Sequence, residues 1–241
     1  MKMIILNNPN NPTGATISEV VLSQIVEFAK ARGIIIFSDE VYRPLFHNLL
    51  TEPASIPPPA TTLGYEKTIV TGSMSKAFAL AGIRVGWIAS RSKEILAAIE
   101  SARDYTTITV SQVDDQIAAY ALSEGVLPSL LKRNVDLARA NMELLDAFVN
   151  KHSSVCSWTR PVAGTTALIQ FKNKGIPVDD VDFCVRVIEE TRVFFVPASK
   201  CFGRGEDFAG FVRVGYVCHT EVLREGLEKL GVFVDKHLVG A

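Results

Sequence analysis

The sequence predicts an α/β fold with a mostly parallel sheet and flanking helices, followed by a smaller α+β domain. Strand-like and helix-like segments alternate through residues 1–90, a long helical segment occupies residues 128–151, and strands and helices are mixed beyond it. Alternation of this kind is typical of parallel strands that are joined by helices. We therefore expect one domain over residues 1–127, and a long connecting helix with a second domain over residues 128–241.

The first predicted strand is the apolar run at residues 4–6. A helix should follow at about residues 18–32, because Thr16 and Glu19 have the spacing of a capping box and Gly33 can end the helix. Its buried stripe is predicted from three apolar residues at helical spacing: Val21, Ile25 and Phe28.

The remaining strands of the first domain are short apolar runs. Residues 34–37 are continuously apolar, as expected of a parallel strand that is covered on both faces. Residues 53–59 are proline-rich and predict a surface loop. Two more strands are expected at residues 68–71 and 85–89.

Helical patterns dominate the middle of the chain. They predict helices at residues 93–105, 112–124 and 128–151, with Pro128 in the first turn of the last one. The rest of the chain predicts strands and helices in turn. The strands are expected at residues 165–171, 193–197 and 211–217, and the helices at residues 179–191 and 221–230.

The charge balance points away from nucleic acids and from anionic membrane surfaces. Among 241 residues, 25 Lys and Arg stand against 26 Asp and Glu, for a net charge of −1. Such partners require a clustered surplus of positive charge. No apolar run approaches the ~20 residues that span a bilayer. We expect neither nucleic acid nor a membrane among the partners.

The four cysteines do not form a metal-binding or redox motif, because they lie far apart and lack CxxC spacing. We expect free, buried thiols in a reducing cytoplasm, and no metal site. These residues are Cys156, Cys184, Cys201 and Cys218.

The segment at residues 71–76 combines a strand end, small residues, hydroxyls and a lysine. Backbone N–H groups and the hydroxyls of Ser73 and Ser75 can bind a phosphate. Lys76 beside them can form a Schiff base with an aldehyde carried by that phosphate ester, and Arg84 can pair bidentately with the phosphate. Taken alone, a lysine after such a loop is more often solvated surface.

Asp39 follows an apolar strand, at the sheet edge where open α/β sheets place their ligands. A carboxylate there can keep a pyridine nitrogen protonated, which makes the ring an electron sink. Tyr42 is placed to donate to the phenolic oxygen of such a ring. For an isolated aspartate, an N-cap role is the better interpretation.

Two further residues are candidates for anchoring a ligand. Asn11 lies in an Asn-Pro-Thr-Gly turn, where Pro12 and Gly14 favour a tight backbone. Arg213 lies between apolar residues on a predicted strand, and a buried arginine requires an anion such as a substrate carboxylate. Turn chemistry for Asn11 and a structural ion pair for Arg213 are the competing interpretations.

Taken together, the order and spacing of these motifs resemble the class I/II aminotransferases of the fold-type I pyridoxal-phosphate family. Asn-Pro-Thr-Gly at residues 11–14, Ser-Asp-Glu-Val-Tyr at residues 38–42 and Ser-x-Ser-Lys at residues 73–76 occur in that order, before Arg84 and Arg213. The resemblance spans essentially the whole chain.

The resemblance implies pyridoxal 5′-phosphate as cofactor and a role for each motif residue. Lys76 would form the Schiff base and move the substrate proton. Asp39 would pair with the ring nitrogen, while Tyr42 and Asn11 would contact the phenolic oxygen. Arg213, helped by Asn11, would bind the α-carboxylate of an amino acid, with a 2-oxo acid as the second substrate. The phosphate ligands would be Ser73, Ser75 and Arg84.

Other activities remain open at this point. The same scaffold supports C–S lyases, 1-aminocyclopropane-1-carboxylate synthase-like enzymes, decarboxylases and cyclases. A degenerate protein that only binds a partner is a further alternative, although the intact Lys76, Asp39 and Arg84 favour an enzyme.

Members of the family normally begin well upstream of the Asn-Pro-Thr-Gly turn. The chain therefore resembles their C-terminal portion, without the upstream glycine loop for the phosphate and the aromatic ring that stacks on the cofactor. We expect a truncated, weakly active chain when isolated, and a cytoplasmic homodimer in a full-length form.

Overall fold

The computed structural model describes residues 1–204 and 207–239 of the chain, and these residues form two compact units. The first unit consists of Met1–Asn11, Ala15–Val135 and Val162–Gly164, and the second consists of the other described residues.

Within the described residues, the first unit contains a four-stranded sheet. Its strands are β1 (Met3–Asn7), β2 (Ile35–Asp39), β3 (Thr68–Ser73) and β4 (Gly86–Ser90). They lie in the order β1-β2-β3-β4. The first three pair in parallel, and β4 pairs antiparallel with β3. The predicted α/β fold with a mostly parallel sheet is confirmed.

The helix α1 (Glu19–Lys30) begins at a different cap from the predicted one. Ser18 is its N-cap, and Ser18 Oγ accepts a hydrogen bond from the Val21 backbone N–H over 3.4 Å. The capping box predicted from Thr16 and Glu19 is therefore wrong. A hydroxyl two residues closer to the helix satisfies one of the free N–H groups of the first turn instead.

The face that α1 buries also differs from the prediction. It consists of three apolar residues: Leu22, Val26 and Ala29. Val21 and Phe28 are 46% and 43% exposed, while Ile25 is partly buried against the core. Both sets of residues repeat at the same helical spacing, so periodicity alone could not choose between two adjacent faces.

Two helices that follow the sheet in sequence are largely exposed to solvent. The helix α2 (Lys93–Arg103) has no buried residue, and α3 (Gln112–Ala121) buries Ala118 and Ala121. Both helices end earlier than predicted. Short 3-10 turns occur at Pro53–Ser55, Ala60–Leu63 and Ala81–Ile83.

An aromatic side chain of the edge strand β4 packs across the neighbouring strand β3. Gly72 of β3 pairs with Trp87 of β4, and a Cβ atom on Gly72 would come within 2.2 Å of the Trp87 ring. Trp87 itself remains 40% exposed. Glycine is therefore required at position 72 by the close approach of this ring.

The helix α4 (Leu127–Lys151) is the longest in the described part of the chain, and Pro128 lies in its first turn as predicted. Its residues up to Val135 belong to the first unit, and its residues from Asp136 belong to the second.

The second unit contains an antiparallel sheet. Its strands are β5 (Cys156–Trp158), β6 (Thr166–Asn173), β7 (Ile176–Pro177), β8 (Val196–Pro197) and β9 (Phe211–Gly215). The order is β5-β6-β9-β8, and β7 pairs with β6. The predicted strand at residues 193–197 is shortened to its last two residues.

Helices α5 (Asp180–Thr191), α6 (Ala198–Cys201) and α7 (Thr220–Val234) accompany this sheet, and a π-helical turn follows at Asp235–Val239. The Phe183 ring stacks on Phe171 at 4.6 Å between centroids and meets Phe233 edge-on at 5.6 Å. These rings form part of a packed core.

Two of the four cysteines depart from the expected burial. All four are free, and Cys156 and Cys184 are buried, but Cys201 is exposed and Cys218 is half-buried. Burial raises the pKa of the Cys156 thiol to about 11 and that of the Cys184 thiol to about 12. In the described residues no helix is both long and apolar enough to span a membrane.

Candidate functional site

A row of polar residues crosses the carboxyl ends of the three parallel strands of the first unit. Asn7 of β1 pairs in register with Asp39 of β2, and Asp39 pairs with Thr71 of β3. The carboxyl ends of parallel strands are where open α/β sheets bind ligands. Sequence reasoning selected Asp39 but missed Asn7 and Thr71, because their alignment follows from strand register.

The Asp39 carboxylate is held on one side only. Its Oδ1 accepts hydrogen bonds from Thr71 Oγ1 at 3.0 Å and from the Val41 backbone N–H at 3.3 Å. Among the described residues, Asp39 Oδ2 receives no hydrogen bond. The carboxylate is thus fixed in orientation while one oxygen remains available to a ligand.

The Asn11 turn is tied to the end of β2. The Asn11 backbone N–H donates to Asn7 Oδ1 at 2.6 Å, and Asn7 Nδ2 donates to the Asp39 carbonyl at 3.3 Å. The Asn8 backbone N–H donates to the same carbonyl at 3.0 Å. These bonds place Asn11 next to the strand end that carries Asp39.

The buried amide of Asn8 closes this turn from the other side. Its Oδ1 accepts from the Ile17 backbone N–H at 2.9 Å, and its Nδ2 donates to the Ile17 carbonyl at 3.4 Å. The turn thereby satisfies its own polar groups, as buried backbone requires. The backbone that carries the Asn11 side chain is therefore constrained.

Lys76 and Tyr42 lie together at the same edge of the sheet. Lys76 Nζ is 5.8 Å from the centroid of the Tyr42 ring, within the range of a cation–π contact. Tyr42 is 6% exposed, whereas Lys76 is exposed. In the part of the chain that the structure describes, Lys76 forms no ion pair.

The two predicted phosphate-binding serines form one turn. Ser73 Oγ accepts from the Ser75 backbone N–H at 3.0 Å and lies 3.5 Å from the Val85 carbonyl. Arg84 is not joined to this turn by a described hydrogen bond. Its Nη1 donates to the Ala81 carbonyl at 3.0 Å, its side chain is exposed, and its φ is 55°.

An ion pair between the buried Glu40 and the half-buried Arg43 supports the segment next to Asp39. Glu40 is 3% exposed, and its Oε1 accepts from Ser38 Oγ at 3.0 Å and from the Ala60 backbone N–H at 2.9 Å. Arg43 Nε lies 3.4 Å from Glu40 Oε2, too poorly aligned to satisfy that oxygen by a hydrogen bond. Arg43 Nη1 also donates to the Pro57 carbonyl at 2.7 Å.

Burial has the largest effect on the pKa values of both Glu40 and Arg43. It raises the pKa of the Glu40 carboxyl, against the opposing effects of the Ala60 N–H, Arg43 and Ser38. It also lowers the pKa of the Arg43 guanidinium, although Glu40 acts in the opposite direction. Sequence reasoning did not single out either residue, because their neighbours lie on a loop that is distant in sequence.

Arg213 belongs to the second unit. It lies on β9, where it pairs with Val196 on one side and with Leu168 on the other. Its guanidinium carbon is 5.6 Å from the centroid of the Phe202 ring. The strand and the ring together restrict the side chain of a cation that is suited to binding a carboxylate.

Comparison with known proteins gives a consistent picture. The family model for aminotransferase class I and II matches residues 1–230. A probable N-acetyl-LL-diaminopimelate aminotransferase of Bacillus subtilis is 30% identical over 235 residues, which cover 98% of this chain and 56% of that protein. An aspartate aminotransferase of Thermotoga maritima is 29% identical over 241 residues, with 97% and 56% covered.

Solved structures agree with the sequence comparisons. A crystal structure of a PLP-dependent aminotransferase from Streptococcus suis superimposes with a TM-score of 0.84 at 33% identity. The match covers 98% of this chain and 57% of the Streptococcus suis chain. The chain thus spans a little over half the length of the relatives that it matches.

Proposed function

This chain belongs to the aminotransferase class I and II family, and on that premise we propose that it moves the amino group of an α-amino acid to a 2-oxo acid with pyridoxal 5′-phosphate as cofactor. The observation that carries the proposal is the position of the exposed Lys76 beside the buried Tyr42 ring, at the sheet edge where one carboxylate oxygen of Asp39 accepts no hydrogen bond from the described residues.

The side chains at this edge fit the proposed cofactor. A pyridinium nitrogen needs an anionic acceptor, and Asp39 Oδ2 is available for it. A phosphate needs hydroxyl and N–H donors, and the turn at Ser73 and Ser75 carries both. An aldehyde needs a primary amine, which Lys76 supplies.

When bound, pyridoxal phosphate supplies an aldehyde that condenses with amines and a ring that withdraws electrons from the substrate Cα. Lys76 Nζ would hold the aldehyde carbon until a substrate amine displaces it, and would then carry the proton from Cα. Asp39 Oδ2 would accept the N–H of the ring nitrogen and so keep that nitrogen charged. Tyr42 Oη and Asn11 Nδ2 would donate to the phenolic oxygen.

The remaining motif residues would bind anions. Ser73, Ser75 and Arg84 would bind the phosphate, for which Arg84 must exchange its hydrogen bond to the Ala81 carbonyl. Arg213 would bind the substrate α-carboxylate, helped by Asn11. An arginine fork matches a carboxylate in geometry as well as in charge.

We propose a homodimer for a full-length form. Three exposed apolar residues repeat along one face of α3: Val113, Ile117 and Tyr120. An apolar stripe of this kind favours contact with another chain. A cytoplasmic location and a role in amino-acid metabolism stay predictions, and the four free cysteines support a reducing compartment.

The test is a half-reaction assay. The purified chain is incubated with pyridoxal phosphate, and a new visible absorbance band is sought. Single amino acids are then added, and their 2-oxo acid products are quantified by mass spectrometry. Transamination predicts conversion of the amino acid to its 2-oxo acid with amination of the cofactor. Products of β-elimination, decarboxylation or cyclisation would contradict the proposed reaction.

A further inference from the structure

Two asparagines on α4 are buried, and the proposed reaction gives neither of them a role. Asn134 is 4% exposed and Asn141 is fully buried, whereas Asn150 on the same helix is exposed. A spacing of seven residues places Asn134 and Asn141 on the same face of the helix. A buried amide is costly unless its polar atoms are hydrogen-bonded, so the partners of these two side chains are informative.

Asn134 holds the loop that carries Lys76. Its Nδ2 donates to the Ala77 carbonyl at 2.8 Å, one residue beyond the lysine. Its Oδ1 accepts from both Nε and Nη2 of Arg133, at 3.1 and 3.0 Å. Arg133 therefore orients the amide, and the amide fixes the backbone at the residue that follows Lys76.

The Lys76 loop is closed by two bonds of its own. The Ala79 N–H donates to the Lys76 carbonyl at 3.0 Å, and the Leu80 N–H donates to the Met74 carbonyl at 2.9 Å. These bonds restrict the loop internally but do not attach it to a helix. Asn134 supplies that attachment, within the first unit.

Asn141 makes the corresponding bonds in the second unit. Its Nδ2 donates to the Tyr216 carbonyl at 2.7 Å and to the Cys218 carbonyl at 2.8 Å. Both carbonyls lie within three residues after the end of β9, the strand of Arg213. The end of that strand is thus attached to α4 by one side chain.

The Oδ1 atom of Asn141 is buried and has no hydrogen-bond partner in the described residues. An unsatisfied buried oxygen lowers the stability of the fold. Stability alone therefore does not account for an asparagine at position 141. What Asn141 contributes is the pair of hydrogen bonds from its Nδ2 to backbone carbonyls.

We propose that Asn134 and Asn141 are positioning residues, Asn134 for Lys76 and Asn141 for Arg213. The functional part of this inference rests on the proposed function, because Lys76 and Arg213 matter only if the chain binds the cofactor and a carboxylate. The structural part does not, since each attachment exists within its own unit without any ligand.

Hydrogen–deuterium exchange of the whole chain, without ligand, tests the structural part. Asn134→Ala should speed exchange of the Ala79 and Leu80 amides about tenfold, the effect of losing one buried hydrogen bond, and leave the Tyr216 amide unchanged. Asn141→Ala should give the opposite pattern. The matched control Asn150→Ala, on the exposed face of the same helix, should change neither segment.

Trapping experiments test the functional part. With pyridoxal phosphate and borohydride, Asn134→Ala should lower the fraction of adduct on Lys76 several-fold, whereas Asn141→Ala should leave it unchanged. With a reactive amino acid, Asn141→Ala should raise KM with little change in kcat. Serine variants at both positions serve if an alanine variant does not fold.

Equal exchange changes in both segments, or none, would overturn the positioning roles. So would an Asn134 variant that traps cofactor on Lys76 as well as the wild type does. If the wild type itself forms no adduct at Lys76, the proposed function fails, while the exchange pattern still decides whether the two asparagines hold their segments.

Discussion

Thr71 Oγ1 donates a hydrogen bond to Asp39 Oδ1 over 3.0 Å, between residues that pair in register on neighbouring parallel strands. The bond leaves the other carboxylate oxygen of Asp39 free of protein donors in the described residues. It therefore fixes the direction in which the negative charge of Asp39 is presented.

Replacing Thr71 by valine tests this relationship, because valine keeps the shape and removes the hydroxyl. We expect a loss of about 1 kcal/mol in the free energy of unfolding. We also expect a lower rate of α-proton removal, since Asp39 then keeps only the 3.3 Å hydrogen bond from the Val41 backbone N–H and is less firmly oriented. Urea denaturation and single-turnover kinetics measure the two effects.

Thr68→Val on the same strand is the matched control. Thr68 is fully buried and its Oγ1 has no hydrogen-bond partner among the described residues, so removing the hydroxyl should be neutral or stabilising. If both variants behave alike in stability and in rate, the Thr71 hydroxyl does not act through Asp39.

Replacing Asp39 by asparagine removes the charge and keeps the size. We expect cofactor retention to change little and α-proton removal to slow by at least about tenfold, because a charge-assisted hydrogen bond contributes about 1.5–3 kcal/mol. Equilibrium binding of pyridoxal phosphate and deuterium wash-in at Cα measure the two quantities. Unchanged wash-in would remove Asp39 from the mechanism.

Much of this site was predictable because its residues lie at strand ends that can be read from apolar runs. Asp39 and Ser73 were selected in this way, and each ends a parallel strand. Thr71 was missed because its role follows from its alignment with a residue 32 positions away. Asn141 was invisible for the same reason, since its bonded carbonyls lie 75 and 77 positions away.

The wrong prediction for α1 has a different cause. Leu22 and Val21 both belong to apolar sets with the same spacing, and the sheet against which the helix packs decides which set is buried. The helical period predicts that an apolar face exists. When two adjacent faces are both apolar, only the tertiary structure decides which of them is buried.

Glu40 makes stability depend on pH. Burial raises the pKa of its carboxyl in the folded protein above the ordinary value of 4.5, so the folded state binds the proton more tightly than the unfolded state does. Its contribution is fully present below about pH 4.5 and is lost as the pH rises through the raised folded pKa. Stability from this group therefore falls with rising pH over that window.

Glu40→Gln should remove that slope in a series of urea denaturations from pH 4 to pH 8. At the acidic end of that series, where Glu40 is protonated, the variant should be close to the wild type in stability, because glutamine has the size of the neutral carboxyl. Glu52→Gln, on an exposed residue, is the control. A slope that persists in Glu40→Gln would assign the pH dependence to another group.

Gly72→Ala should destabilise the chain by about 1–3 kcal/mol, because the new methyl group would overlap the Trp87 ring. Trp87→Ala should relieve most of that cost in the double variant. A double-mutant cycle based on thermal or urea melts measures the coupling. Additive losses would show that the ring is not what requires glycine.

In the proposed function, Lys76 is the amine that holds the cofactor. The direct measurement is peptide mapping of the chain after incubation with pyridoxal phosphate and reduction with borohydride, with Lys93→Arg as the control and Lys76→Arg as the test. We expect one dominant pyridoxyl adduct, on Lys76, that Lys93→Arg leaves intact and Lys76→Arg abolishes. Adduct spread over exposed lysines, with none enriched at Lys76, would contradict it.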